Sequence, residues 1–170
     1  MAKKEAPRLV TPRLTLRRLT ETDILAMSRL FVDAEVTRYL TGDTPPSDEH
    51  SMLKIVRARR ETEWAITLTA TGEFLGIALM PKITADYLGE IGCVLLREFW
   101  RNSYATEALD TLITHSRATL GLKRLCARID SENVASRRLT EKLGFALDAV
   151  LPEADFGGRI CDVAYYSLML

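Results

Sequence analysis

In the segment 13–19, RLTLRRL, Leu14 and Leu16 alternate with polar neighbours, and that period of two predicts a first strand. The TETD that follows at 20–23 has the form of a capping box, and Ile24, Met27, Leu30 and Phe31 then recur on one face of a helix. A second helix is predicted from a Ser47 cap, with Asp48 and Glu49 in its first turn, to about Thr62. Its Arg57, Arg59 and Arg60 read as a solvated charged face or, more pointedly, as a rim facing a substrate. Two β-rich runs at 63–80, EWAITLTATGEFLGIALM, flank an ATGE turn as an antiparallel hairpin, and a third run, YLGEIGCVLL, follows at 87–96.

Beyond a short loop, Ala105, Ala108, Leu109, Leu112 and Ile113 return to helical spacing, with Gly121 as a stop. KRLCARI then predicts a strand, ENVASRRLTEKL a helix closed by Gly144, and DVAYYSLML a terminal strand. A meander of antiparallel strands followed by strand, helix, strand, helix, strand implies an α+β fold with a sheet of mixed direction.

Composition narrows the functional classes. The 170 residues, 47% of them hydrophobic, are enough for one domain with a proper core, so a single domain over 1–170 is expected. Lys plus Arg and Asp plus Glu both number 23, which removes the basic excess of a nucleic-acid binder. Cys93, Cys126 and Cys161 are odd in number and widely spaced, as reduced core cysteines would be. His50 and His115 have no ligand-spaced neighbours, so no metal site is expected. No stretch of membrane-spanning length and no secretory leader is visible, and the expectation is a cytoplasmic protein.

Two helix starts carry the candidate chemistry. A strand ending at Leu95 and Leu96 and a helix beginning near Tyr104 leave the N–H groups of Arg101, Asn102, Ser103, Tyr104, Ala105 and Thr106 without intrahelical partners. Water or the Asn102 and Ser103 side chains would satisfy them in an ordinary loop; a diphosphate would satisfy several at once. In SENVASRRLTEKLGF, Asn133 follows a strand and Ser136 stands three positions on. Asn133 reads as an N-cap or as a ligand group.

Taken together, LVTPRLTLRRLTETD, EIGCVLLREFWRNSYATEAL, ENVASRRLTEKLGF and GGRICDVAYYSLML resemble the GNAT superfamily of N-acetyltransferases, in the branch of the ribosomal-protein N-terminal acetyltransferases. The resemblance implies a mostly antiparallel central sheet splayed in the middle and flanked by helices, with acetyl-CoA as acetyl donor. It places Val94 and Leu95 on the splayed strand beside the pantetheine arm and the loop residues 101–106 around the pyrophosphate. Asn133 would hydrogen-bond the pantetheine and Ser136 would lie near the sulfur. The family pattern has glycines where Arg101 and Ser103 stand, so this loop must do without their torsional freedom.

Acetyl transfer needs a neutral amine, a donor for the oxyanion and a way to discharge the thiolate. A backbone N–H near Leu95 suits the oxyanion, and Glu90, on the strand bordering the cleft, is the first candidate for accepting a proton. Glu90 reads equally well as a structural acid paired with an arginine across the sheet. Thr140 occupies the position where many family members carry a tyrosine acid, which leaves Ser136 to assist the sulfur. The branch resemblance favours a protein or peptide α-amine as acceptor and a homodimer as assembly. Small amines such as polyamines, amino acids or drugs are the alternative acceptors, and a non-catalytic acyl-CoA sensor is the competing class. A phosphate-binding domain unrelated to acetyl transfer is a third reading.

Overall fold

The computed structural model describes residues 8–40, 49–59, 62–79, 88–155 and 160–170. Five strands form one sheet in the order β1 (Leu9–Val10), β2 (Leu14–Arg18), β3 (Glu63–Leu68), β4 (Phe74–Leu79), β6 (Gly92–Leu95). Four form another in the order β5 (Leu88–Glu90), β7 (Arg124–Asp130), β9 (Ile160–Met169), β8 (Ala146–Asp155). All ladders are antiparallel except β5–β7, so the fold is the expected mixed α+β architecture.

The run predicted as one strand at 87–96 is two. β5 pairs with β7 and β6 with β4, and the change of partner falls at Ile91, whose N–H still donates to the Cys126 carbonyl at 3.0 Å. The two sheets therefore share one extended segment and part along it. On the β4 side, Leu96 N–H donates to Leu75 O at 2.8 Å. Antiparallel pairs alternate between bonded and non-bonded, so Val94 is turned toward β4, while Cys93 and Leu95 direct their peptide groups away from it, into the gap. β4 comes close here only because Gly76 lacks a side chain; a Cβ would stand 2.0 Å from the Val94 carbonyl oxygen.

Helices cover both faces. α1 (Ile24–Val32), the short α2 (Ala34–Thr37) and α3 (Glu49–Arg59) close one face, where Met27, Leu30, Phe31, Met52 and Val56 meet Ala65, Phe74 and Ile77. α4 (Tyr104–Ala118) covers the other with Ala108, Leu109, Leu112 and Ile113 against Leu14, Leu16, Trp64, Ile66 and Leu75. α5 (Val134–Lys142) is tied to β9 by the buried Tyr166, whose hydroxyl donates to Glu141 at 2.8 Å and accepts from Arg137 at 3.0 Å. The predicted inner face of α1 is the observed one, with Ile24 half-buried beside it.

The capping box at 20–23 forms around a 3-10 turn, in which the buried Asp23 carboxylate accepts from the Thr20 N–H at 2.8 Å. Arg17 donates to the same carboxylate twice, at 2.8 Å each. Burial works against the Asp23 charge, but these donors more than reverse it and hold the carboxyl below its usual range.

The hydrophobic pattern gives no strand signal over β8, because β8 is an edge strand with two register shifts, a proline at 152 and exposed Leu147, Val150 and Leu151. Against expectation the cysteines, which form no disulfide, are half-buried rather than fully in the core. Ser47, Asp48, Arg60, Met80 and Tyr87 lie outside the described residues. No helix among the described residues is long and apolar enough to cross a membrane.

Candidate active site

Where the sheets part, a cavity of about 720 Å³ opens. Glu90, Ile91, Cys93 and Val94 of the shared segment line it together with Arg128 and Asp130 of β7 and with Asn133, Ser136 and Thr140 at α5. The structure thus brings Glu90, Val94, Asn133 and Ser136 into one space. Leu95 is not part of that lining: its side chain is buried in the core under α4, and its carbonyl accepts from the Trp100 indole at 2.8 Å. Its N–H faces the gap, as an oxyanion donor would need.

The loop before α4 lies outside the cavity lining, at the end of β6. Arg101 has φ 60° and Ser103 φ 62°, both left-handed, so the two positions where the family pattern carries glycine do adopt the conformation that favours glycine. The reading in which Asn102 and Ser103 cap their own helix does not hold. Asn102 Nδ2 donates to Trp100 O at 2.9 Å, and Ser103 makes no capping bond. The N–H groups of Arg101, Asn102, Ser103, Tyr104, Ala105 and Thr106 find no acceptor among the described residues. Such a row, with left-handed residues inside it, forms a concavity that suits an anion.

What holds this loop is Arg13, which the sequence pattern did not single out. Its Nη1 donates to Asn102 O at 3.1 Å, its Nε to Glu107 at 2.7 Å, and its guanidinium stacks 4.7 Å from the Tyr104 ring centre. Thr11 also donates to Glu107. Burial disfavours the Glu107 charge, but the donors from Thr11 and Arg13 prevail and hold its carboxyl below the usual range. The only signal in sequence is a charged residue just ahead of an alternating strand, which is too common to be informative.

At α5, Asn133 is the N-cap, accepting the Ser136 N–H on Oδ1 at 3.1 Å. That bond fixes which way the amide points and leaves Nδ2 as the donor end of a residue that lines the cavity. The two readings of Asn133 are compatible, one for each end of the amide. Glu90 is paired with Arg128, which donates through Nε at 3.0 Å and Nη2 at 3.3 Å. That is the cross-sheet partner anticipated for a structural acid, yet both residues still border the cavity. Burial pushes the Cys93 thiol up to about 12, so it stands in the wall as a neutral thiol.

Of the arginines on α3, Arg57 is a surface partner of Glu21, while Arg59 lines the cavity and pairs with Glu63. Glu63 also borders the cavity, beyond the residues the sequence pattern singled out; a charged first residue on the mostly apolar strand EWAITL is the available signal.

The architecture is therefore an α+β fold whose two sheets part in the middle, with an uncapped helix start at the end of β6. Residues 13–146 match the family described as Acetyltransferase (GNAT) domain, and the chain belongs to that family. It is 32% identical to the Uncharacterized N-acetyltransferase YoaA of Bacillus subtilis, with 96% of this chain and 97% of that one covered. It is 30% identical to the Uncharacterized N-acetyltransferase p20 of Bacillus licheniformis, with 95% of each covered. A GNAT-family acetyltransferase from Bacillus anthracis has the same fold, with TM-score 0.86, 22% identity, and 96% and 98% of the two chains covered. So do the ribosomal L7/L12 alpha-N-protein acetyltransferase RimL in complex with coenzyme A, at TM-score 0.83, 19% identity and 96% and 98% coverage, and a spermidine N-acetyltransferase SpeG chimera from Vibrio cholerae and hSSAT, at 0.78, 18%, and 92% and 95%. The protein is an acetyltransferase by family.

Proposed function

We propose that the protein transfers an acetyl group from acetyl-CoA to a primary amine, and that the acceptor is the α-amine of a protein or peptide N-terminus. The observation that carries the donor half is the unbroken row of open N–H groups at the start of α4, at the end of a strand whose Cys93 and Leu95 peptides face the gap. A diphosphate followed by an amide-bearing arm is the complement of that surface, and acetyl-CoA supplies both along with an activated thioester carbonyl.

In this reading the N–H groups of residues 101–106 bind the pyrophosphate and the exposed Arg101 adds charge. Asn133 Nδ2 and the gap-facing peptide groups of Cys93 and Leu95, on either side of Val94, hold the pantetheine arm. Leu95 N–H faces the developing oxyanion, Ser136 Oγ stands by the sulfur, and Glu90, oriented by Arg128, accepts the amine proton directly or through water. For the acceptor, an α-amine with pKa of roughly 7.7–8.0 is neutral far more often at pH 7 than a lysine near 10.4, a difference on the order of 3 kcal/mol. A site whose proposed base, Glu90, sits in an ion pair suits the easier amine. The fold shared with RimL and with the SpeG chimera is compatible with either acceptor class, so the choice rests on this argument.

Thiol release from acetyl-CoA with peptides beginning in Ala, Ser or Met, beside polyamines and free amino acids, tests the reading. Turnover with the peptides is expected, and Glu90→Gln should lower it on the order of a hundredfold while acetyl-CoA affinity is kept. Preference for polyamines would overturn the acceptor; saturable acetyl-CoA binding without any thiol release would make the protein a sensor. Absence of acetyl-CoA binding would sink the whole reading.

A further inference from the structure

The cavity contains a carboxylate that the reading above does not use. Glu63 opens β3 with its side chain only 14% exposed, and Arg59 Nη1 holds its Oε1 at 3.2 Å. Oε2 is buried and makes no hydrogen bond among the described residues. Leaving such an oxygen without a donor costs about 1–3 kcal/mol, more for a charged group. Burial accordingly keeps the Glu63 carboxyl above its usual range, although Arg59 pulls the other way.

Its place in the fold says which ligand it faces. Alternate residues of a strand share a face, and Ala65, two positions on, packs into the core beneath α1 and α3. Glu63 is therefore on the face opposite α4, beside Thr37, Tyr39, Thr62 and Leu79 in the cavity wall. Asn133 and Ser136 line the same cavity from α5. One space thus reaches from the side assigned to the donor to a wall with a half-satisfied carboxylate. The last torsion of a glutamate is broad and two-fold, so the carboxylate can present either oxygen to the cavity while Arg59 retains the other.

Resting on the acetyl-transfer reading, we infer that the acceptor enters from the α1–α3 side and that Glu63, steadied by Arg59, positions its amino group by accepting an N–H from it. This makes Glu63 a specificity residue: it selects acceptors that bring a cationic N–H donor over ones that bring a hydroxyl or an apolar end. It needs no proton transfer to Glu63 itself.

Two unreactive peptides separate this from a structural role. An alanyl tripeptide with an N,N-dimethylated terminus keeps a charged N–H but is not a primary amine, and the des-amino tripeptide lacks the group altogether. In competition against the acceptor, the dimethylated peptide should inhibit the parent at least about tenfold better, the magnitude of one charge-assisted hydrogen bond. In Glu63→Gln that ratio should fall toward one, with acetyl-CoA affinity by calorimetry unchanged; Glu63→Asp, checked by its melting curve, should restore part of it. A ratio near one in the parent, or an unchanged ratio in a folded Glu63→Gln, overturns the inference while acetyl-CoA binding keeps the donor reading intact. Loss of acetyl-CoA binding in the parent removes both.

Discussion

The start of α5 lines the cavity and the start of α4 lies outside it at the end of β6, and the two are built on opposite principles. α5 is closed by its own sequence: Asn133 takes the Ser136 N–H. At the start of α4 no N–H from 101 to 106 finds an acceptor among the described residues, in a backbone with two left-handed residues that bear side chains. A helix start that satisfies itself needs nothing from outside, and α5 spends only one end of its amide on the cap. One that finds no acceptor among the described residues, and is held by Arg13 from just ahead of β2, suits the anion of the proposed donor. The 3-10 turn ahead of α1 shows the self-sufficient extreme, with Asp23 serving Thr20 and Arg17 together.

The largest effect is expected at that extreme. Asp23→Asn leaves Arg17 without its partner and should destabilise the fold by about 3 kcal/mol in urea titration at pH 7. Because the Asp23 carboxyl is held low, its contribution is fully present above the ordinary carboxylate pKa near 4 and is lost as pH falls through the lower folded value. The parent should therefore lose more stability on acidification than the variant; parallel curves would remove the linkage.

Arg13→Ala should break the contrast from the other side. Without the bond to Asn102 O and the stack on Tyr104, the open loop is free to relax, and acetyl-CoA affinity should fall about tenfold, as for loss of a charge-assisted hydrogen bond. Arg13→Lys should rescue little, since the forked geometry is lost. Unchanged affinity in both would show that the loop needs no brace.

Asn133→Ala tests whether α5 has one task or two. Loss of the cap alone costs about 1 kcal/mol of stability. Weaker acetyl-CoA binding measured on the folded variant adds the second task, whereas a stability loss with normal affinity leaves Asn133 as a cap only.

The smallest effect sharpens the comparison. Ser103→Gly keeps the backbone donor and relieves a left-handed residue, so stability should rise by about 0.5–1 kcal/mol and acetyl-CoA affinity should hold or improve. Weaker binding would mean that the Ser103 hydroxyl contacts the ligand.

Local signals were legible. The capping box at Thr20, the inner face of α1, the hairpin of β3 and β4, and the starts of α4 and α5 all follow from spacings of a few residues, which act on the chain before any distant contact forms. The family motifs are of the same kind and pointed to the fold correctly. What the tertiary structure decided lies between residues far apart. The division of 87–96 between two sheets depends on which strand comes alongside, and β6 reaches β4 only because Gly76 stands opposite. Glu90 was visible as a strand carboxylate, but its partner Arg128 comes from β7, 38 positions on. Arg13 finds Asn102 across 89 positions. Glu63 looks like an ordinary polar strand end until burial takes water from one of its oxygens. A hydrogen bond's worth depends on what replaces water around it, and that is set by packing, which no spacing along the chain records.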